Sequence, residues 1–301
     1  MKNPEGSVAD PKEQKTKQTK INMKLNKIVA VTSLAAVVAS SSLFAGTKSF
    51  KETVIKEEAK PAYSASLSAG WDSLYMFRGV NVLRNPGDYG DGLATTALSV
   101  TWNLTENDSI TFGAWTGFGL GSIDYQELDL PVNYVHTIGD LSLGLGYTFY
   151  DNNLNNHNYY ANELNVSAAY AIKLGAVTLT PSATYYYELG PDNDLGSSNG
   201  AADATSSYLD LRLNANIPLS ASVSLAPYVG YGVNFSFNCK DGTTDNFNGG
   251  NNVEYGLAVP VKINNTVTVS GYVAQSIALE NLGGSTRQCT SWGGAKVTFS
   301  F

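Results

Sequence analysis

The chain has 301 residues, with 19 Lys+Arg against 26 Asp+Glu, a formal net charge of −7, and only two His and two Cys. That balance leaves no basic face to neutralise phosphates, which excludes nucleic acid as a partner. No Cys/His spacing suits a metal, and no Gly-rich loop of phosphate-binding form occurs, so no cofactor is implied.

Residues 1–22 are polar and Lys-rich and read as an extension ahead of a natural start at Met23. A short basic stretch follows from Met23 to Lys27, then a mostly apolar run from Ile28 to Val38, then small residues from Ser40 to Gly46. This is the anatomy of a secretory signal peptide over 23–45. The apolar run falls short of the roughly 20 residues that a membrane-anchoring helix needs, as does every other segment. Residues before Gly46 carry seven of the 19 basic and three of the 26 acidic residues, which leaves 12 against 23 and a net charge of −11. Residues 46–62 form a charged periplasmic leader with Lys51, Glu52, Lys56, Glu57, Glu58 and Lys60, patterned as a solvated linker. A short helix from Ser49 would gather Phe50, Val54 and Ile55.

From residue 63 to residue 301 the pattern is period two. Leu67, Ala69, Trp71, Tyr75 and Phe77 oppose Ser64, Ser66, Ser68, Gly70 and Asp72 in a first strand over Tyr63 to Phe77. Ala94 to Leu104 turns at Thr105 to Asp108 into Ile110 to Phe118, and Leu128 to Ile138 turns at Gly139-Asp140 into Leu141 to Phe149. Leu164 to Ile172 turns into Val177 to Tyr187, and Leu209 to Ile217 into Val223 to Phe235. Val253 to Val261 turns into Val267 to Val273, and a terminal strand ends at Phe301. These are twelve strands joined alternately by tight turns and by longer Gly/Asn/Asp-rich loops. The long connections cover about 79–92, 119–127, 151–158, 190–205, 238–250 and 280–290.

Alternation with this loop asymmetry predicts an all-β, transmembrane, antiparallel up-and-down β-barrel of about 12 strands over 63–301, with both ends on the periplasmic side. A soluble β-sandwich also alternates, but the outward faces here carry almost no charge, and Tyr, Trp and Phe gather near strand ends as interfacial girdles do. Pro181 and Pro227 lie inside strands and count mildly against central positions there, since Pro donates no ladder hydrogen bond, although a bulge would accommodate either. The last strand, with Val297, Phe299 and Phe301 on one face, resembles the C-terminal recognition strand of bacterial outer-membrane barrels. The resemblance implies outer-membrane lipid and the barrel-assembly machinery as partners, with Phe299 and Phe301 as the assembly signal.

The stretch Gly70 to Val80 contains Tyr75-Met76-Phe77-Arg78-Gly79 and resembles the early Tyr-x-Phe-Arg-Gly segment of the TorF-like family of outer-membrane porins, whose role is poorly defined. That resemblance implies a porin-like barrel and hands over no catalytic residue. The motif has two readings. In the favoured one Tyr75 and Phe77 join the outer aromatic belt, Arg78 sits on the rim and Gly79 opens the loop; in the other, Arg78 points into the lumen.

Inward parity nominates Asp72, Asp129, Glu163, Glu188, Asp210 and Glu254 against Arg78, Arg212 and Lys296 as pore-lining charges, with Asp210 and Arg212 placed to pair. An excess of acids favours cations in a pore; alternatively, the same residues close a hydrogen-bonded network inside a plugged barrel. A passive channel for small hydrophilic solutes or ions is one reading, and a non-conducting barrel displaying its loops is the other. An outer-membrane phospholipase places a Ser-His pair on its lipid face, but His136 has no Ser beside it on its own face and His157 lies in an Asn-rich loop, so no enzyme is expected. Cys239 and Cys289 fall in the last two long loops, on the oxidising side of the membrane, and are expected to form a disulfide. Deleting Phe301 is expected to lower the outer-membrane level of the protein severely, measured by membrane fractionation against the full chain.

Overall fold

The computed structural model describes residues 62–83, 92–121, 125–151, 160–189, 206–240, 245–279, 282 and 289–301. The extension, the signal peptide, nearly all of the leader, His157 and much of each long loop lie outside them. The elements are β1 Tyr63–Asp72, a short hairpin of β2 Met76–Phe77 and β3 Val80–Asn81, β4 Gly92–Asn103, β5 Asp108–Leu120, β6 Gln126–Ile138, β7 Leu141–Asp151 and β8 Tyr160–Tyr170. There follow β9 Ile172–Leu174, β10 Val177–Leu189, β11 Ser207–Pro218, β12 Ser224–Cys239, β13 Asn246–Lys262, β14 Val267–Ala278 and β15 Thr290–Ser300.

Each barrel strand pairs antiparallel with its neighbours, and β15 closes onto β1 from Ser66 opposite Ser300 to Asp72 opposite Gly294. With β9 continuing β8 past Ala171, the result is a closed barrel of 12 strands, as the alternation predicts. Closure satisfies the edge groups that lipid cannot. The two prolines need no bulge. Beside Pro181 the ladder lapses where β8 gives way to β9, and Ala169–Ser182 and Ile172–Leu179 keep one register across the lapse. Beside Pro227 it lapses between Asn214–Tyr228 and Ile217–Leu225, again without a shift. The missing N–H costs ladder bonds, not register. Bulges occur instead near the extracellular ends of β12 and β13.

The faces divide as predicted. Leu67, Leu98, Leu143, Leu145, Val166 and Val273 are exposed on the outside, while Ser64, Ser66, Ser68, Thr178, Thr180 and Thr298 are buried within. Tyr63, Trp102, Tyr170 and Phe301 ring the periplasmic end; Trp71, Phe118, Tyr160 and Phe235 ring the other. These are two aromatic girdles around an apolar belt.

Three expectations are corrected. The first strand ends at Asp72, so Tyr75 and Phe77 do not join the outer belt. β12 and β13 run on to Cys239 and back from Asn246, so most of the loop expected over 238–250 is an extended hairpin. Cys239 and Cys289 are two thiols, not a disulfide. Cys239 ends β12, buried, with its Sγ donating to Asn246 Oδ1 at 3.2 Å, whereas Cys289 is exposed at the start of β15. Two strands lie between β12 and β15, a separation of about 14 Å at the usual strand spacing, and a bridge needs Cα atoms within about 7 Å.

Leu145→Arg, in the middle of the lipid belt, is expected to destabilise the barrel by about 2–4 kcal/mol in reversible unfolding from bilayers. In the folded protein a maleimide reagent is expected to label Cys289 readily and Cys239 only after unfolding, read by mass spectrometry without reduction.

Candidate functional site

Beyond Asp72 the chain turns into the barrel instead of away from it. Tyr75 packs against Trp115 and Tyr125, with ring centroids 5.8 Å apart in each pair, and Phe77 packs against Tyr150 and Phe237 at 6.3 and 6.1 Å. The β2–β3 hairpin therefore lies among inward-facing side chains. Two positive φ values make its tip, +48° at Arg78 and +82° at Gly79. The second suits glycine, because a Cβ there would meet the Asn252 side chain at 2.8 Å.

That tip aims Arg78 across the lumen. Its Nη2 lies 2.6 Å from Glu163 Oε2, with the two side chains 8% and 4% exposed. Its guanidinium carbon sits 4.7, 4.2, 5.4 and 4.5 Å from the ring centroids of Phe77, Tyr186, Tyr208 and Phe237. Cation–π attraction at this range strengthens once water is excluded. Tyr150 donates to the other carboxylate oxygen of Glu163 at 3.0 Å. Glu188 stands directly opposite Glu163 in register and accepts a hydrogen bond from Ser206. Like charges facing each other across a ladder repel, and Arg78 supplies the cation between them.

The hairpin backbone is held by asparagines. Asn251 Nδ2 and Asn238 Nδ2 donate to the Arg78 carbonyl at 2.8 and 3.3 Å. Asn238 also donates to Asn251 Oδ1, Asn251 to Asn252 Oδ1, and Asn252 to Ser276 Oγ, while Asn234 bridges Asn238 and Phe247 carbonyls. All four asparagines are buried. A bulge in β13 sets this cluster: Gly232 pairs with Asn252 and Val233 with Gly250, so Asn251 is the extra residue and turns from the lipid beside its neighbour Asn252. Gly232 makes room for it: a Cβ there would fall 1.9 Å from the Tyr208 hydroxyl, which donates to Asn252.

A second polar group lies on β11 to β13. Arg212 contacts Asp210 at 2.7 Å and Glu254 at 3.4 Å, and Tyr228 donates to Glu254 at 2.7 Å. Asp72 accepts from Tyr272, and Lys296 on β15 is its diagonal neighbour, two residues beyond the Gly294 that pairs with it. Asp129 shares the inward face of β6 with Glu127, which accepts from Tyr125 at 2.6 Å. All nine charges nominated by parity thus turn from the lipid, but Arg78 does so through the folded-in hairpin and not as a strand residue. His136 lies apart at the periplasmic end, its Nδ1 2.8 Å from Asp108 Oδ1, with Leu143 as its other ladder neighbour.

The sequence reading missed Glu127, the four asparagines and the ring of Tyr186, Tyr208 and Phe237. Glu127 shares parity with Asp129 and becomes legible once β6 is begun at Gln126. Asn234 and Asn252 share inward parity with Gly232 and Glu254, whereas Phe237, Asn238 and Asn251 lie at or beyond bulges, which parity does not register.

No known family model matches the chain, and no curated protein does. Among solved structures, an outer membrane channel from Pseudomonas putida F1 aligns with a TM-score of 0.52 at 13% identity, over 83% of this chain and 100% of that one. The NanC porin aligns at 0.47 and 10% identity, over 79% and 98% of the two chains. At such identity the first likeness concerns the fold alone. Together with the apolar belt and girdles, the fold defines a transmembrane β-barrel of the bacterial outer membrane.

Glu163→Gln leaves a guanidinium buried without its counter-charge and is expected to cost about 3–5 kcal/mol. Lys173→Gln, which breaks the half-exposed pair with Asp140 at 2.8 Å, is expected to cost under about 1 kcal/mol, both variants being read by reversible urea unfolding from bilayers.

Proposed function

We infer that the protein is a porin-like passive channel for small hydrophilic solutes or ions, with a preference for cations. The observation that carries this reading is the contrast between an uncharged lipid face and an inner face on which Asp72, Glu127, Asp129, Glu163, Glu188, Asp210 and Glu254 outnumber Arg78, Arg212 and Lys296. A surplus of fixed carboxylates along a narrow path draws in counter-ions of the opposite sign. Small inner side chains, including Ser64, Ser66, Ser68, Gly144, Gly146, Thr178 and Thr180, leave the wall polar and thin. No catalytic role is assigned: the hydroxyls at the His136–Asp108 pair, those of Tyr134 and Thr105, donate to the Asp108 carboxylate, and Leu143 is the ladder neighbour of the imidazole. The Tyr75 to Gly79 stretch, which resembles the TorF-like family, is the segment that enters the lumen, and we read the protein as a member of that group.

A second reading has its own support. The buried Arg78–Glu163 pair and its aromatic shell fill the barrel near the extracellular end, as they would in a non-conducting barrel that displays loops. Planar bilayers separate the two. The purified barrel is expected to conduct, and in a KCl gradient its reversal potential is expected to lie on the cation side and to shrink in Asp72→Asn/Glu254→Gln. Absence of any conductance favours the second reading.

A further inference from the structure

We propose that the lumen pocket filled by Arg78 is a binding site for small organic cations of the guanidinium or alkylammonium class, and that such solutes compete with Arg78 for it. The proposal rests on the channel reading only for the route by which a solute arrives.

The pocket belongs to the barrel wall. Glu163 comes from β8, Tyr186 from β10, Tyr208 from β11 and Phe237 from β12; Phe77 alone comes from the hairpin. When the arginine withdraws, three aromatic faces and a carboxylate therefore stay in place. Tyr150 occupies Glu163 Oε1, so Oε2 is the oxygen that faces the cation. A carboxylate that is 3% exposed cannot remain without a counter-charge. The surrounding rings favour a weakly hydrated, planar or alkylated cation over a compact hydrated ion such as sodium. Glu188, in register with Glu163, adds a second negative charge, and its Oε1 has no hydrogen-bond partner among the described residues. Glu163 is the carboxylate in ion-pair contact with the guanidinium, whose Nη1 likewise has no hydrogen-bond partner among the described residues.

The tether that delivers Arg78 is under strain. Arg78 itself holds φ at +48°, a conformation that side chains other than glycine adopt at a cost. The arginine therefore behaves as a built-in occupant that an external cation of like chemistry replaces.

Ethylguanidinium is the probe, titrated by calorimetry into the folded barrel in detergent micelles, with Arg78→Ala and Arg78→Ala/Glu163→Gln beside the natural sequence. Arg78→Ala is expected to bind it at least about tenfold more tightly than the natural sequence, and the double variant to lose about tenfold again; sodium at equal ionic strength is expected not to substitute. Equal affinity of Arg78→Ala and the natural protein, or undiminished binding by the double variant, overturns the proposal. If Arg78→Ala does not fold, it is refolded with ethylguanidinium present: recovery of the folded, heat-modifiable gel band supports the site, and no recovery overturns it. Conductance is recorded separately in planar bilayers. Binding without conductance removes the channel reading and keeps the site, whereas conductance without binding removes the site alone.

Discussion

Closure of the sheet is the constraint on which everything else depends. In hydrocarbon an unpaired N–H or C=O costs several kcal/mol, and a row of them along an open edge is untenable. Pairing β15 to β1 removes that edge and at once divides the chain into a lipid face and an inner face. All charge and most hydrogen-bonding capacity must then go inward, where 12 strands enclose a space between the side-chain-filled interior of eight-stranded barrels and the open channel of 16-stranded ones.

That intermediate width leaves room for a short hairpin to enter at the extracellular end. The β2–β3 tip brings one guanidinium to a wall that carries two facing carboxylates and three aromatic rings. A buried ion pair contributes little net stability against an apolar packing of the same volume, because desolvation offsets the Coulomb gain. What it contributes here is position: the pair tolerates one placement of the tip, and the Asn238 and Asn251 amides hold the Arg78 carbonyl in that same placement.

The polar interior is divided into local groups, and the division follows the strands. Asp210, Arg212 and Glu254 pair across β11 to β13, where Gly230 lies between Arg212 and Glu254 in register and keeps the wall low enough for them to meet. Glu127 on β6 accepts from Tyr125, Asp129 lies two residues along the same face, and neither has a basic side chain within ion-pair distance among the described residues. The acidic side chains are therefore unevenly spread around the barrel, gathered on β6 and at the β8–β10 ladder.

Strand count, the side each strand residue faces, the aromatic girdles and the inward direction of Asp129, Glu163, Glu188, Asp210, Arg212, Glu254 and Lys296 were legible in the residues alone, because the pleat repeats every two residues and lipid tolerates no exception to it. Parity fails where the pleat fails. Tyr75, Phe77 and Arg78 continue the alternation of β1 in sequence but leave the sheet after Asp72, and only the space inside the closed barrel decides that they fold in and not out. The bulges of β12 and β13, which bring Phe237, Asn238 and Asn251 to the hairpin, depend on cross-strand partners far away in the chain, as does the spacing that keeps Cys239 from Cys289. The sequence by itself determined which face of each strand meets lipid, since that is a local, periodic property; the tertiary structure decided what occupies the lumen, since that depends on which residues from distant strands a closed wall sets opposite one another.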